Sequence, residues 1–254
     1  MKTVLITGAS SGIGKETAFV YARNNFDLVL VARREEQLES IKIEIEKKYS
    51  VSVAVISMDL SQIESALLLY TKIKDMKICI DVLINNAGFG VKGDFKDTDT
   101  DKEEQMLILN MITLTKLTKY FLNDMLRQNS GLIINIASTA AFQGIPKFST
   151  YAATKAYVLH FSEAIAVELR NTNVKIKAIC PGPTNSEFAK TANANGSKAF
   201  RNIPEASEVA EFIYKSGTNS KTTIIYGIKN KLMVFSQRFA PRDISTIIAG
   251  KFMQ

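Results

Sequence analysis

An open, doubly wound sheet of seven parallel strands, with helices on both faces, is the fold this sequence predicts. Three observations carry it. Short apolar runs alternate with longer amphipathic stretches along most of the chain. The short runs place Val, Ile and Leu on consecutive positions, which suits strands buried on both faces. A glycine-rich turn follows the first run directly and opens the first helical stretch. Strand–helix alternation builds parallel βαβ units with right-handed crossovers, whose ligands bind beyond the carboxyl ends of the strands.

The strands are expected over 4–7, 28–32, 51–57, 80–84, 132–137, 174–180 and 222–226. Helices are expected over 13–24, 35–49, 61–75, 99–128, 149–171 and 205–216. At 254 residues the chain suits one domain, 1–254, because single cores reach about 250 residues. No linker-like composition and no fixed-period repeat divides it.

The first strand is expected to begin just after Met1-Lys2, so no signal peptide is expected before it. No apolar run approaches the ~18 residues of a spanning helix. Cys79 and Cys180 lie in apolar stretches and read as buried free thiols, so a cytoplasmic location is expected. The net charge of +7 arises from 32 basic and 25 acidic residues mixed along the chain, as in 42–48. Such mixing marks a solvated face, and no recognised motif supports a nucleic-acid partner. No His/Cys/carboxylate cluster has metal-ligand spacing, so no metal is expected.

Gly8, Gly12 and Gly14 sit in the turn Thr7-Gly8-Ala9-Ser10-Ser11-Gly12-Ile13-Gly14. Glycines there allow a tight turn, close approach of backbone to a pyrophosphate, and close helix packing. Free amides and the positive helix end then favour phosphates, so dinucleotide binding is expected. Further on, Tyr151-Ala152-Ala153-Thr154-Lys155 begins thirteen residues after Ser138. On one helix, Tyr151 and Lys155 share a face about 6 Å apart along the axis. A phenol is a poor acid at neutral pH, and an adjacent ammonium is expected to lower its pKa to a useful value. Ser138, ending the fifth strand, can hydrogen-bond a substrate oxygen. His160, the sole histidine, lies two to three turns further and supports no Ser/His/Asp arrangement.

The opening Thr-Gly-x-x-x-Gly-x-Gly resembles that of the short-chain dehydrogenase/reductase family. The likeness continues through Asn85-Asn86-Ala87-Gly88, Asn110, Ser138, Tyr151/Lys155 and Pro181-Gly182, spanning roughly 3–185 in the family's order. The length matches the family's classical branch, and the resemblance implies a Rossmann-type fold. It also implies Tyr151 as acid/base, Lys155 as its tuner and ribose ligand, and Asn110 as support for a proton-relaying water. Asp59-Leu60 would meet the adenine, although Asp59 alone reads as a helix N-cap. Asn86, Ala87 and Gly88 would line the adenosine ribose, and Pro181, Gly182 and Thr184 the nicotinamide end. Ser10, Ser11 and Ile13 belong to the phosphate turn. The second strand ends in Arg33-Arg34 with no acidic residue, which favours a 2′-phosphate and hence NADP(H) over NAD(H).

Residues 185–204 fall where the family carries a substrate lid, with Phe188 and Phe200 its large apolar residues and 191–197 small and polar. The tail, 229–254, reads in order of preference as an oligomer contact, a pocket wall or a helix on a membrane surface. Helices 99–128 and 149–171 resemble the family's pairing surface, implying a homodimer or homotetramer. The expected activity is interconversion of a carbonyl and a secondary alcohol, on a substrate that is lipid-like or 3-oxoacyl. The alternatives are an idle NADPH sensor or scaffold of the same fold, and an isomerase or dehydratase of the superfamily.

Overall fold

The computed structural model describes residues 1–194, 197–200 and 203–252. Asn195 and Gly196 of the expected lid, together with Arg201 and Asn202, lie outside the described residues, as do the tail's Met253 and Gln254.

Strands β1 (Lys2–Thr7), β2 (Phe26–Ala32), β3 (Val53–Ser57), β4 (Val82–Asn85), β5 (Gly131–Ile136), β6 (Val174–Cys180) and β7 (Thr223–Ile225) form one sheet in the order β3-β2-β1-β4-β5-β6-β7. Every pairing is parallel. Neighbouring residues of one strand point to opposite faces. Val4 and Ile6 accordingly pack with Leu28 and Leu30 in one core, and Leu5 with Val29 and Val31 in the other. Both faces are covered, which is why most strand positions are apolar.

Helices α1 (Gly12–Arg23) and α2 (Glu35–Lys48) lie on the first face, burying Tyr21, Leu38, Ile41 and Ile45. On the second, α3 (Ser65–Asp75) contributes Leu69 and Ile73. The expected helix 99–128 is present as α4 (Thr100–Leu107) and α5 (Leu114–Arg127), joined by one π-helical stretch, Ile108–Thr113. Asp99 caps it, accepting from the amides of Asp101 and Lys102 at 2.9 and 3.1 Å. Next come α6 (Ser149–Glu168), a short α7 (Phe188–Thr191) in the lid region, and α8 (Ala206–Ser216) on the first face.

Several boundaries differ from expectation. The third helix starts at Ser65 instead of 61, because Asp59 Oδ1 accepts from the Ser61 amide and hydroxyl at 3.0 and 2.7 Å and closes a turn there. Asp59 therefore does not cap that helix. Cys79 is exposed, contrary to expectation, because it lies in the connection before β4, whereas Cys180 is buried in β6. The tail folds as two helices, α9 (Ile228–Ser236) and α10 (Arg242–Phe252), outside the six helical ranges expected.

The chain moves outward from β1 to β3, then returns to place β4 on the other side of β1. The β1/β4 boundary is thus the switch point, where such sheets open a crevice at their carboxyl edge.

Candidate active site

A cavity of about 610 Å³ runs along that edge, lined by the glycine turn, the ends of β2, β4, β5 and β6, and the lid. Its floor is tied together by hydrogen bonds. Thr7 Oγ1 donates to the Ile84 carbonyl at 3.3 Å and accepts from the Asn86 and Ala87 amides at 3.0 Å each. Asn86 Nδ2 donates to the carbonyls of Thr7 at 2.9 Å and Gly8 at 3.2 Å. Asn86 therefore fastens β4 to the turn, while Ala87 and Gly88 line the cavity beside it.

The turn requires its glycines. Gly8 and Gly12 have φ of 68° and 53°, a region that L side chains rarely adopt. A Cβ on Gly14 would run into the Gly8 carbonyl, so α1 could not lie so close to β1. Ser11 precedes α1 without capping it through its side chain, and the first turn carries no acidic residue. This leaves a helix end suited to an anion.

The expected basic pair lies across from the turn. Arg34 donates from Nε and Nη2 to Ser10 Oγ at 3.3 and 3.1 Å, and from Nη1 and Nη2 to the Glu187 carboxylate at 3.2 and 2.7 Å. Arg33 lines the same end and acts electrostatically on Asp59. It is Arg34 that grips the turn. Leu60 lines the cavity next to Asp59.

At the other end, α6 presents Tyr151 and Lys155, both buried. Lys155 Nζ donates to the Ile136 carbonyl at the end of β5, at 2.8 Å, and lies 5.8 Å from the Tyr151 ring centroid. Ser138 has an extended backbone just past β5, and its Oγ accepts from the Ala140 amide at 3.1 Å. Asn110 sits in the π-helical stretch. Its Nδ2 donates to the Phe89 carbonyl at 3.0 Å and to Thr154 Oγ1 at 3.1 Å, and its Oδ1 accepts from the Phe89 amide at 3.3 Å. The widened turn directs a polar side chain inward, a common use of π-bulges. A Cβ on Gly88 would lie 2.9 Å from Asn110 Oδ1 and 3.6 Å from Lys155 Nζ, so this glycine keeps the space between them open.

Burial dominates the titration of both α6 groups. It pushes the Tyr151 phenol up to about 12, the Ser138 side chain drawing it partly back, and pushes Lys155 down to about 8. The expected lowering of the phenol is therefore not provided by the chain alone, because desolvation outweighs the Ser138 hydrogen bond.

Lys155 gives a pH signature. Below about pH 8 folded and unfolded chains both hold its proton, and the folded state bears the whole burial penalty. Between about 8 and the ordinary 10.5, only the unfolded chain holds it, so this group makes stability rise with pH. Lys155→Met should remove that rise. Urea midpoints measured across pH 8–10 are expected to climb less in the variant than in the parent, and equal slopes would contradict the assignment.

The remaining wall is aromatic. Tyr151 packs against Phe148 and Phe188 with ring centroids 4.9 and 5.2 Å away, and Phe188 stacks on Phe200 at 6.4 Å. Pro181, Gly182 and Thr184 line the cavity after β6, with the Thr184 hydroxyl turned back onto the Gly182 carbonyl at 3.0 Å. Sequence reasoning did not single out Ser186, Glu187 or Phe148. Ser186 Cβ lies 2.9 Å from where a Gly12 Cβ would be, so the root of the 185–204 segment crosses the glycine turn. His160 is exposed against Glu163 and takes no part.

The switch point of the sheet thus opens a cleft that ends at a buried phenol. The chain belongs to the short-chain dehydrogenase/reductase family of oxidoreductases, since a family model described as short chain dehydrogenase matches residues 2–197. It is 33% identical over 232 residues to an NADP-dependent 3-hydroxy acid dehydrogenase of Schizosaccharomyces pombe, covering 88% of this chain and 90% of that protein. It is 32% identical to a 7beta-hydroxysteroid dehydrogenase of Clostridium sardiniense, over 71% of this chain and 68% of that protein. Among solved structures, a short-chain dehydrogenase from Sphingobium yanoikuyae in complex with NADPH superposes with a TM-score of 0.85 at 28% identity, covering 94% of each chain.

Proposed function

We propose that this protein is an NADP(H)-dependent reductase that interconverts a carbonyl and a secondary alcohol, with Tyr151 as the acid. One observation carries the reading: a buried phenol lies beside Ser138 and Lys155 at the inner end of a dinucleotide-sized cleft. The NADP-dependent yeast relative and the NADPH-bound structural neighbour support the choice of cofactor.

The turn from Gly8 to Gly14 would seat the pyrophosphate, and Ser10, Arg33 and Arg34 the 2′-phosphate. Asp59 and Leu60 would flank the adenine, Ala87 and Gly88 the ribose, and Pro181 to Thr184 the nicotinamide. When bound, the nicotinamide supplies or accepts the hydride. Ser138 donates a hydrogen bond to the substrate oxygen, favouring the charge that develops there. Tyr151 gives that oxygen its proton as a positioned general acid. Lys155 and Asn110 hold the ordered polar path from which Tyr151 is reprotonated. The aromatic wall excludes water and suits an apolar carbonyl substrate, lipid-like or 3-oxoacyl.

The test is isotopic. With NADPH deuterated at nicotinamide C4 and a ketone, deuterium should appear on the carbinol carbon of the product. Cofactor that binds yet remains unconsumed with every carbonyl offered would contradict the reading. The 2′-phosphate assignment makes a separate prediction. Arg34→Ala should weaken NADPH binding about tenfold, the loss of one charge-assisted hydrogen-bonding group, and leave NADH binding nearly unchanged. Equal losses for both cofactors, measured by fluorescence titration, would move the phosphate seat elsewhere.

A further inference from the structure

Among the described residues, nine of the twenty large apolar side chains left exposed fall between 228 and 252. They are ordered, not scattered. Ile228, Leu232, Phe235 and Phe239 recur at helical spacing along α9 and just beyond it, and Ile244, Ile247 and Ile248 do so along α10. The other sides of these helices hold the protein. Asn230 Nδ2 donates to the Tyr226 carbonyl at 2.8 Å, Gln237 Nε2 to Gln143 Oε1 at 2.9 Å, and Gly250 lies against Pro146.

Charge decides what covers the apolar stripes. Lys229, Lys231, Arg238, Arg242 and Lys251 are all exposed around them, and Asp243 is the segment's one acidic residue. None of these five cations pairs with a carboxylate among the described residues. In a twofold contact through this patch, two surfaces of like charge would be brought together at a cost. An anionic surface complements them. Neither helix is long and apolar enough to cross a membrane, so the geometry is that of helices lying in an interface.

We propose that α9 and α10 dock the protein on an anionic lipid surface, apolar stripes inserted at the headgroup boundary and the cations on phosphates. The same two helices wall the cleft with Met233 and Phe252, so docking sets the inner pocket beside the lipid. The docking itself does not depend on the reductase reading.

The experiment is co-sedimentation with vesicles of mixed phosphatidylglycerol and phosphatidylcholine, against phosphatidylcholine alone, at low and high salt. Binding is expected on the anionic vesicles, with release by salt and little binding to neutral ones. Neutralising two cations, Lys231→Gln with Arg238→Gln, should weaken partitioning about thirtyfold, from roughly fivefold per charge. Leu232→Gln with Phe239→Gln keeps every charge and should also abolish pelleting, while an unchanged urea midpoint and NADPH affinity show that this variant is folded. Three results would overturn the proposal: no pelleting with anionic vesicles, pelleting that survives the apolar double variant, or a lipid-free dimer that this variant dissolves.

Discussion

Replacing Tyr151 by phenylalanine should lower kcat/KM for carbonyl reduction by about 10²–10⁴-fold, the contribution of one positioned acid. NADPH affinity and the unfolding midpoint should stay close to the parent's. The reason lies in what the substitution removes. The ring keeps its packing on Phe148 and Phe188, and Lys155 keeps its bond to the Ile136 carbonyl, so only the proton donor is lost. A fall in turnover accompanied by an equal loss of cofactor binding would instead make Tyr151 a structural residue.

Gly14→Ala should destabilise the fold by about 1–3 kcal/mol, as overpacking does, and cause a much larger loss of NADPH binding. The added methyl would strike the Gly8 carbonyl, which belongs to backbone pinned by Asn86, so the neighbour cannot yield as a side chain would. Either α1 backs away from β1 or the turn opens, and both move the amides that would meet the pyrophosphate. Gly93→Ala is the control. Its Cβ would meet only the Thr98 side chain, at 3.0 Å, outside the residues that line the cleft. Urea unfolding and NADPH titration of the two variants should differ clearly; matching behaviour would remove the close-packed turn from the account.

What could be read from the sequence was whatever backbone geometry forces on it. Gly8, Gly12 and Gly14 are required by positive φ or by close approach, and the Tyr151–Lys155 pair by helical spacing, so both left a pattern. The strands were legible because burial on both faces leaves few polar positions. Where a local pattern has several outcomes, the reading slipped. Residues 99–128 look like one helix whether or not a π-helical stretch widens it, and that stretch is what turns Asn110 toward Phe89 and Thr154. Asp59 followed by Ser61 forms a turn as readily as a helix cap. The Tyr151 phenol was misjudged because burial depends on Phe148 and Phe188, three and thirty-seven positions away. Glu187 reaching Arg34 is a contact 153 residues apart, and no spacing rule signals it.

The most direct measurement is NADPH oxidation by the purified protein, followed by absorbance against a panel of ketones, aldehydes and 3-oxoacyl thioesters, with NADH in parallel. The account predicts consumption with at least one apolar carbonyl, faster with NADPH than with NADH, and lost in Tyr151→Phe. Consumption that persists in Tyr151→Phe, or a protein that binds neither cofactor, would contradict it.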